Sequence, residues 1–123
     1  SASVGSRTSL PVCLPNQRQK AFEMLDQHLQ DMPFHAGEIH LQVLVAMIFS
    51  DFDFTTTMTF LVNYGRDNDT TAAVAGGILG GYYGFEKLPV EMREKVMKVG
   101  KEQLEIDMEK LSKDLAKRVI GFY

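Results

Sequence analysis

Between positions 16 and 32 the apolar residues Phe22, Leu25, Leu29 and Met32 recur every three or four places, the period of a helix with one buried stripe. The spacing predicts an amphipathic helix over 16–31, ended by Pro33. The following stretch, GEIHLQVLVAMIFS, is apolar on nearly every side and reads as a helix buried in a core. Its β-branched residues leave a strand open, but its length favours a helix. After SDFDF a third helix is expected over 55–63, with Asp51 or Asp53 capping its start. A fourth spans 70–83, and Gly84 is placed to stop it. Leu88 and Pro89 open a charged helical region, with proline at the first helical position and Gly100 dividing the region. Beyond it Leu104, Met108, Leu111, Leu115 and Val119 form a stripe. Glu109 with Lys113, and Asp114 with Arg118, are spaced to pair along the same helix. Residues 1–15 are small, polar and proline-punctuated, so a loop or flexible start is expected there. No internal repeat occurs. The pattern predicts an all-α fold with a single helical domain over 16–123.

Composition narrows the function classes. A chain of 123 residues supports one core, and 45% apolar with 24% charged residues is the composition of a globular protein. A formal net charge of −3 gives no basic excess, which argues against a nucleic-acid partner. No apolar run approaches the roughly 20 residues that cross a bilayer, so no membrane partner is expected. Cys13 is the single cysteine, which excludes an internal disulfide, suits a reducing, cytoplasmic location and reads as an inert thiol. The chain begins at Ser1 without methionine, as a trimmed tag or an internal fragment of a longer chain would.

Candidate chemistry concentrates in NYGRDNDTTAAVAGGILGGYYG, residues 63–84. Four glycines (Gly76, Gly77, Gly80 and Gly81) in a helix cost about 1 kcal/mol each relative to alanine. Close packing of a neighbouring helix is the expected gain. A dinucleotide fingerprint is excluded, because Ala75, Gly77 and Gly80 match it only in degenerate form and follow no strand. A phosphate-binding P-loop is excluded by the absence of a following Lys-Ser or Lys-Thr. Ahead of the glycines, Asp67, Asn68, Asp69 and Thr70 sit where the helix must begin. Such residues cap helices, and such oxygen-rich clusters also suit hard divalent cations. Spacing alone leaves both readings open. An EF-hand is excluded, since counting from Asp67 its required glycine and glutamate fall on Ala72 and Ile78. HAGEIH places His35, Glu38 and His40 together but fits no zinc-helix pattern, and reads as a helix start with His35 or Glu38 near a cleft. Asp51 and Asp53 read as cap and turn residues, Tyr82 and Tyr83 as core, and the seven methionines as gap fillers.

The run VNYGRDNDTTAAVAGGILGGYYGFEKLP resembles the C-terminal signature of the ADP-ribosylglycohydrolase family, which includes dinitrogenase-reductase-activating glycohydrolases and J-crystallins. The family's usual form is a Val-Asn, a Gly-Gly-Asp-Thr-Asp-Thr, an Ala-Ala/Ile-Ala-Gly helix, then Gly-Ala-Tyr-Tyr-Gly and Ile-Pro. The preceding HLQVLVAMIFSDFDF matches an apolar helix and Asp-Phe turn, so the resemblance covers about 36–92. Arg66 replaces the second glycine and Asn68 the first threonine, while Asp67, Asp69 and Thr70 are kept. The resemblance implies an orthogonal helical bundle, of which this chain is the C-terminal part. It also implies two divalent cations, magnesium or manganese, with calcium as an alternative occupant in crystals. Asp67, Asp69 and Thr70 match metal ligands, Asp67 and Asp69 being catalytic through the cations they hold. Gly65, Arg66 and Asn68 would adjoin the substrate. The implied reaction is metal-assisted hydrolysis of an N- or O-glycosidic bond of ADP-ribose or a related N-glycoside.

The family's other ligands come from an N-terminal Gly-Asp-Ala-x-Gly helix and a Thr-Asp-Asp cluster, and neither motif occurs here. The expected partner is therefore that missing half, on the same parent chain or a separate one, and one or both cations would be absent without it. The alternative is a catalytically inactive helical structural or interaction protein that retains the fold. A third reading uses the stripe at 104–119 as an interaction surface.

Overall fold

The computed structural model describes residues 15–121. The expected loop over the first residues, up to 14, and the inert Cys13 lie outside the described residues. Among those described there are six α-helices, one short 3-10 turn and no strand, so the chain is all-helical as its periodicity predicts. No described helix is long and apolar enough to cross a membrane. The chain divides into two compact units, Ser1–Leu79 and Gly80–Tyr123.

In the first unit, α1 (Pro15–Asp26), α2 (Ala36–Phe49), α3 (Phe54–Tyr64) and the larger part of α4 (Asn68–Tyr83) meet around one apolar cluster. Leu25 of α1, Val43, Ala46 and Met47 of α2, Phe60 and Leu61 of α3, and Ala75 and Leu79 of α4 are its buried members. Phe60 sits at its centre, with the rings of Phe22 at 4.9 Å edge-to-face and of Phe49 at 5.1 Å. Burying such a side chain contributes about 2–3 kcal/mol relative to leaving it in water. Asp53 caps α3: its carboxylate accepts from Thr56 N–H at 2.8 Å and Thr56 Oγ1–H at 2.7 Å. Asp51, the alternative cap, instead occupies the preceding turn with φ +48°.

Two expectations for this unit are corrected. The helix predicted over 16–31 ends at Asp26, because the backbone of Gln30 is taken by long-range partners. Its N–H donates to Glu38 at 2.8 Å, a bond that a helical Gln30 would give up to the carbonyl four residues back, and its carbonyl accepts from Arg66 at 2.8 Å. In α2 the expectation of burial on nearly every side fails for Leu44 and Ile48, which are exposed, while Glu38 and Gln42 are buried.

The second unit begins within α4 and adds a turn at Phe85–Lys87, α5 (Val90–Gln103) and α6 (Met108–Ile120). Gly84 ends α4 with φ +80°, a conformation that glycine adopts without strain. Pro89 is the residue before α5 rather than its first. Gly100 does not divide the helix. It is buried within α5, where an added Cβ would lie 3.3 Å from Met108 and 3.5 Å from the Ile106 carbonyl. The break falls at 104–107 instead, with Glu105 at φ +55° and Asp107 capping α6 through Lys110 N–H at 2.9 Å. Lys113 pairs with Glu109 at 2.6 Å, but Asp114 pairs with Lys110 rather than Arg118. Of the predicted stripe, Leu104, Leu111, Leu115 and Val119 are exposed, and only Met108 is partly covered.

The glycines of α4 do not pack closely. A Cβ on Gly77 or Gly81 would meet nothing within 4 Å, and those on Gly76 and Gly80 would make ordinary contacts with Met58 and Leu88. Tyr82 and Tyr83, expected in a core, are exposed, with ring centroids 5.0 Å apart.

Candidate functional site

The turn between α3 and α4 carries the candidate residues. It begins where Gly65 N–H donates to the Leu61 carbonyl at 3.1 Å and ends where Thr71 N–H donates to the Asp67 carbonyl at 3.1 Å. Two successive residues of this turn have positive φ, +90° at Gly65 and +56° at Arg66. Gly65 combines its φ with ψ −134°, a region open essentially to glycine alone. Asn68 Nδ2 donates to the Val62 carbonyl at 3.4 Å, reaching back to one of the unpaired carbonyls at the end of α3. The Thr71 side chain is buried and returns its hydroxyl to the Asn68 carbonyl at 3.3 Å.

Asp67, Asp69 and Thr70 lie together at the start of α4. Asp67 and Thr70 are half-buried and Asp69 is exposed. None of their side chains forms a hydrogen bond or ion pair among the described residues, so none serves as a side-chain cap. Two carboxylates and one hydroxyl remain uncommitted, and these are donors that hard cations take. They fit part of a coordination sphere and not a whole one. Among the described residues no three His, Cys, Asp or Glu side chains converge to hold a metal ion.

Arg66, between the left-handed glycine and the first aspartate, sends its side chain to Glu38 and Gln30. Its Nε donates to Glu38 Oε1 at 2.9 Å and its Nη2 to Oε2 at 3.2 Å, the two-pronged arrangement that a guanidinium makes with a carboxylate. Nη2 also donates to the Gln30 carbonyl at 2.8 Å. The Glu38 carboxylate, only 2% exposed, takes two further bonds, from Gln42 Nε2 at 2.9 Å and Gln30 N–H at 2.8 Å. The hydrogen bond from Arg66 outweighs burial, which acts in the opposite direction, and holds Glu38 down at about 2 against an ordinary 4.5. The same bond raises Arg66 above its usual range. Alongside, Tyr64 donates its hydroxyl to Asp26 at 2.9 Å, and burial followed by that bond pushes its phenol above the usual tyrosine range.

Of the predicted substrate-adjoining residues, then, Arg66 is committed to Glu38 and Gln30, Asn68 to Val62, and Gly65 to the backbone of the turn. The HAGEIH motif assembles no zinc set. His35 begins α2 and accepts from Gly37 N–H at 3.1 Å, and His40 Nδ1 donates to the Ala36 carbonyl at 2.7 Å. Sequence reading placed Glu38 at a helix start, without its partner. The signal available was a glutamate with a glutamine four places on, facing the core side of an apolar helix, together with an arginine at a turn position that usually holds glycine.

No curated protein and no solved structure matches the chain. The ADP-ribosylglycohydrolase family model matches residues 6–121, almost the whole sequence, and includes the turn at 65–70 and all six helices. This chain belongs to the ADP-ribosylglycohydrolase family.

Proposed function

We propose that this chain supplies Asp67, Asp69 and Thr70 to a divalent-cation site in a hydrolase that cleaves an N- or O-glycosidic bond of ADP-ribose. Membership of a glycohydrolase family is the frame for this reading. The observation that carries it is the uncommitted state of three oxygen-bearing side chains on a turn whose backbone is otherwise bonded on both sides. Ordinary caps would spend those oxygens on the first amides of α4. Magnesium or manganese, when bound, supplies Lewis-acid polarisation and orientation of a water. Within this chain, Asp67 and Asp69 provide anionic oxygens and Thr70 a neutral one. Gly65 and Arg66 set the angle at which these oxygens leave α4. Hard cations take six or more oxygens, so the remaining ligands come from water, substrate hydroxyls and protein outside these residues. The substrate is an ADP-ribosylated group or related N-glycoside, held against that composite site.

A second reading is a catalytically silent protein that keeps the fold, since among the described residues no three acidic or other metal-ligating groups converge. One experiment separates the two. The melting temperature of the protein, together with the part that supplies the remaining ligands, is measured with and without Mg²⁺ or Mn²⁺, for the wild type and for Asp69→Ala, alongside release of ADP-ribose from an ADP-ribosylated substrate. A cation present at a hundred times its Kd stabilises by about 2.7 kcal/mol. The wild type gains that stabilisation and releases ADP-ribose, and Asp69→Ala does neither. Identical melting of both proteins with and without cation would rule out the site.

A further inference from the structure

We infer that Glu38 is a positioning residue for the two aspartates of the turn at 65–69, acting through Arg66. This rests on the reading of Asp67 and Asp69 as cation-binding residues. The first observation is the backbone of Arg66. At φ +56° it holds a conformation that residues with a Cβ rarely adopt, and such a conformation persists only where the surroundings over-determine it. Three hydrogen bonds from its guanidinium do so, two to Glu38 and one to the Gln30 carbonyl. Glu38 in turn is fixed from the core side, because it lies on α2 just ahead of the buried Gln42, Val43, Ala46 and Met47. Rigidity therefore passes from the packed helix to the carboxylate, from the carboxylate to the guanidinium, and from Arg66 to the adjoining Asp67.

The second observation concerns charge. Arg66 is one residue from Asp67 and three from Asp69, so a free guanidinium there is within reach of both carboxylates. Paired with either one, it would consume the oxygens that a cation needs. The structure shows the opposite: Arg66 spends its bonds on a carboxylate from another helix, and both aspartates stay uncommitted. Glu38 thus does two things at once. It pins the left-handed turn, and it keeps the nearest positive charge off the ligating groups.

Two readouts test this, one of them independent of any metal. In the metal-free protein, amide exchange at Gly65 and Thr71 reports whether the turn is held, since these two amides bracket it. Glu38→Gln is expected to speed their exchange about tenfold, while Val43→Ala, a core change on the same helix, leaves both in step with global unfolding. The second readout is Mn²⁺ affinity, taken with the protein part that supplies the remaining ligands present. Loss of a partner that orients a ligand typically weakens binding about 10–100-fold, and Glu38→Gln is expected to weaken Mn²⁺ binding by at least tenfold. Adding Arg66→Gly to Glu38→Gln removes the competing cation and the strained conformation together, and is expected to restore most of the affinity. A purely structural Glu38 would give no such recovery. Unchanged exchange at Gly65 and Thr71 in Glu38→Gln overturns the inference, as does a double variant that binds Mn²⁺ no better than the single one. If exchange responds but the wild type binds Mn²⁺ no better than Asp69→Ala, positioning of the turn stands and the cation reading falls.

Discussion

The same chemical change, glycine to alanine, is expected to act with opposite sign at two positions twelve residues apart. At Gly65 an added Cβ meets nothing within 4 Å, so space is not the obstacle. The obstacle is φ +90° with ψ −134°, which costs a residue with a Cβ about 1–3 kcal/mol. Reduced freedom of the unfolded chain offsets about 0.4–1 kcal/mol of this. The net expectation for Gly65→Ala is a loss of about 1–2 kcal/mol. At Gly77 a Cβ likewise meets nothing, but the backbone is ordinary helix and exposed. Gly77→Ala therefore gains about 0.5–1 kcal/mol. Urea unfolding at a slope of about 1–3 kcal/mol per molar separates the two midpoints by roughly 1 M, with the wild type between them. A neutral or stabilising Gly65→Ala would refute the conformational argument. A destabilising Gly77→Ala would refute the open face of α4.

Protonation of Glu38 gives a pH test. Its folded-state value of about 2 lies below the ordinary 4.5, so its contribution is complete above 4.5 and is lost as pH falls toward 2. Allowing for screening at the part-exposed Arg66, that contribution is about 2 kcal/mol, and Glu38→Gln is expected to flatten stability against pH across this window. An unchanged slope would count against the buried pair. Asp53→Ala removes the acceptor for both Thr56 N–H and Thr56 Oγ1–H and is expected to cost about 1 kcal/mol, measured as a shift in the urea midpoint. Tyr64→Phe is expected to cost about 1 kcal/mol through loss of the bond to Asp26. It should also remove the latest-rising component of phenolate absorbance in an alkaline titration, because burial and Asp26 delay ionisation of that phenol. Persistence of the late component would assign it to another tyrosine.

Element type was legible because its signals are local. The Asp53 cap and the Gly84 stop each act within a turn of themselves and appear as the pattern predicts, whereas of the α1 stripe only Phe22 and Leu25 lie in the helix, Leu29 and Met32 being beyond its end and exposed. Errors came where a distant residue intervened. The end of α1 moved because Gln30 is bonded to Glu38 and Arg66, the latter 36 positions away. Gly100 failed to break α5 because Met108, beyond the next turn, uses the space that its missing side chain leaves. Gly77 and Gly81, read as sites of close helix packing, have nothing within 4 Å of an added Cβ, and Tyr82, read as core, is exposed.

By itself the sequence determined that the chain is helical, where its caps and stops lie, and that a family signature places two aspartates and a threonine at one helix start. Those properties reside in short-range periodicity, capping chemistry and motif order. Only the tertiary structure decided which faces are covered, which way Arg66 points, and that Glu38 receives it. A periodic pattern specifies that a face is apolar, but not what lies against it. Similarly, an arginine beside two aspartates has a choice of partners that composition leaves equal. The packing of α2 breaks that equality by presenting a buried carboxylate with two further donors already in place, and so leaves Asp67 and Asp69 uncommitted.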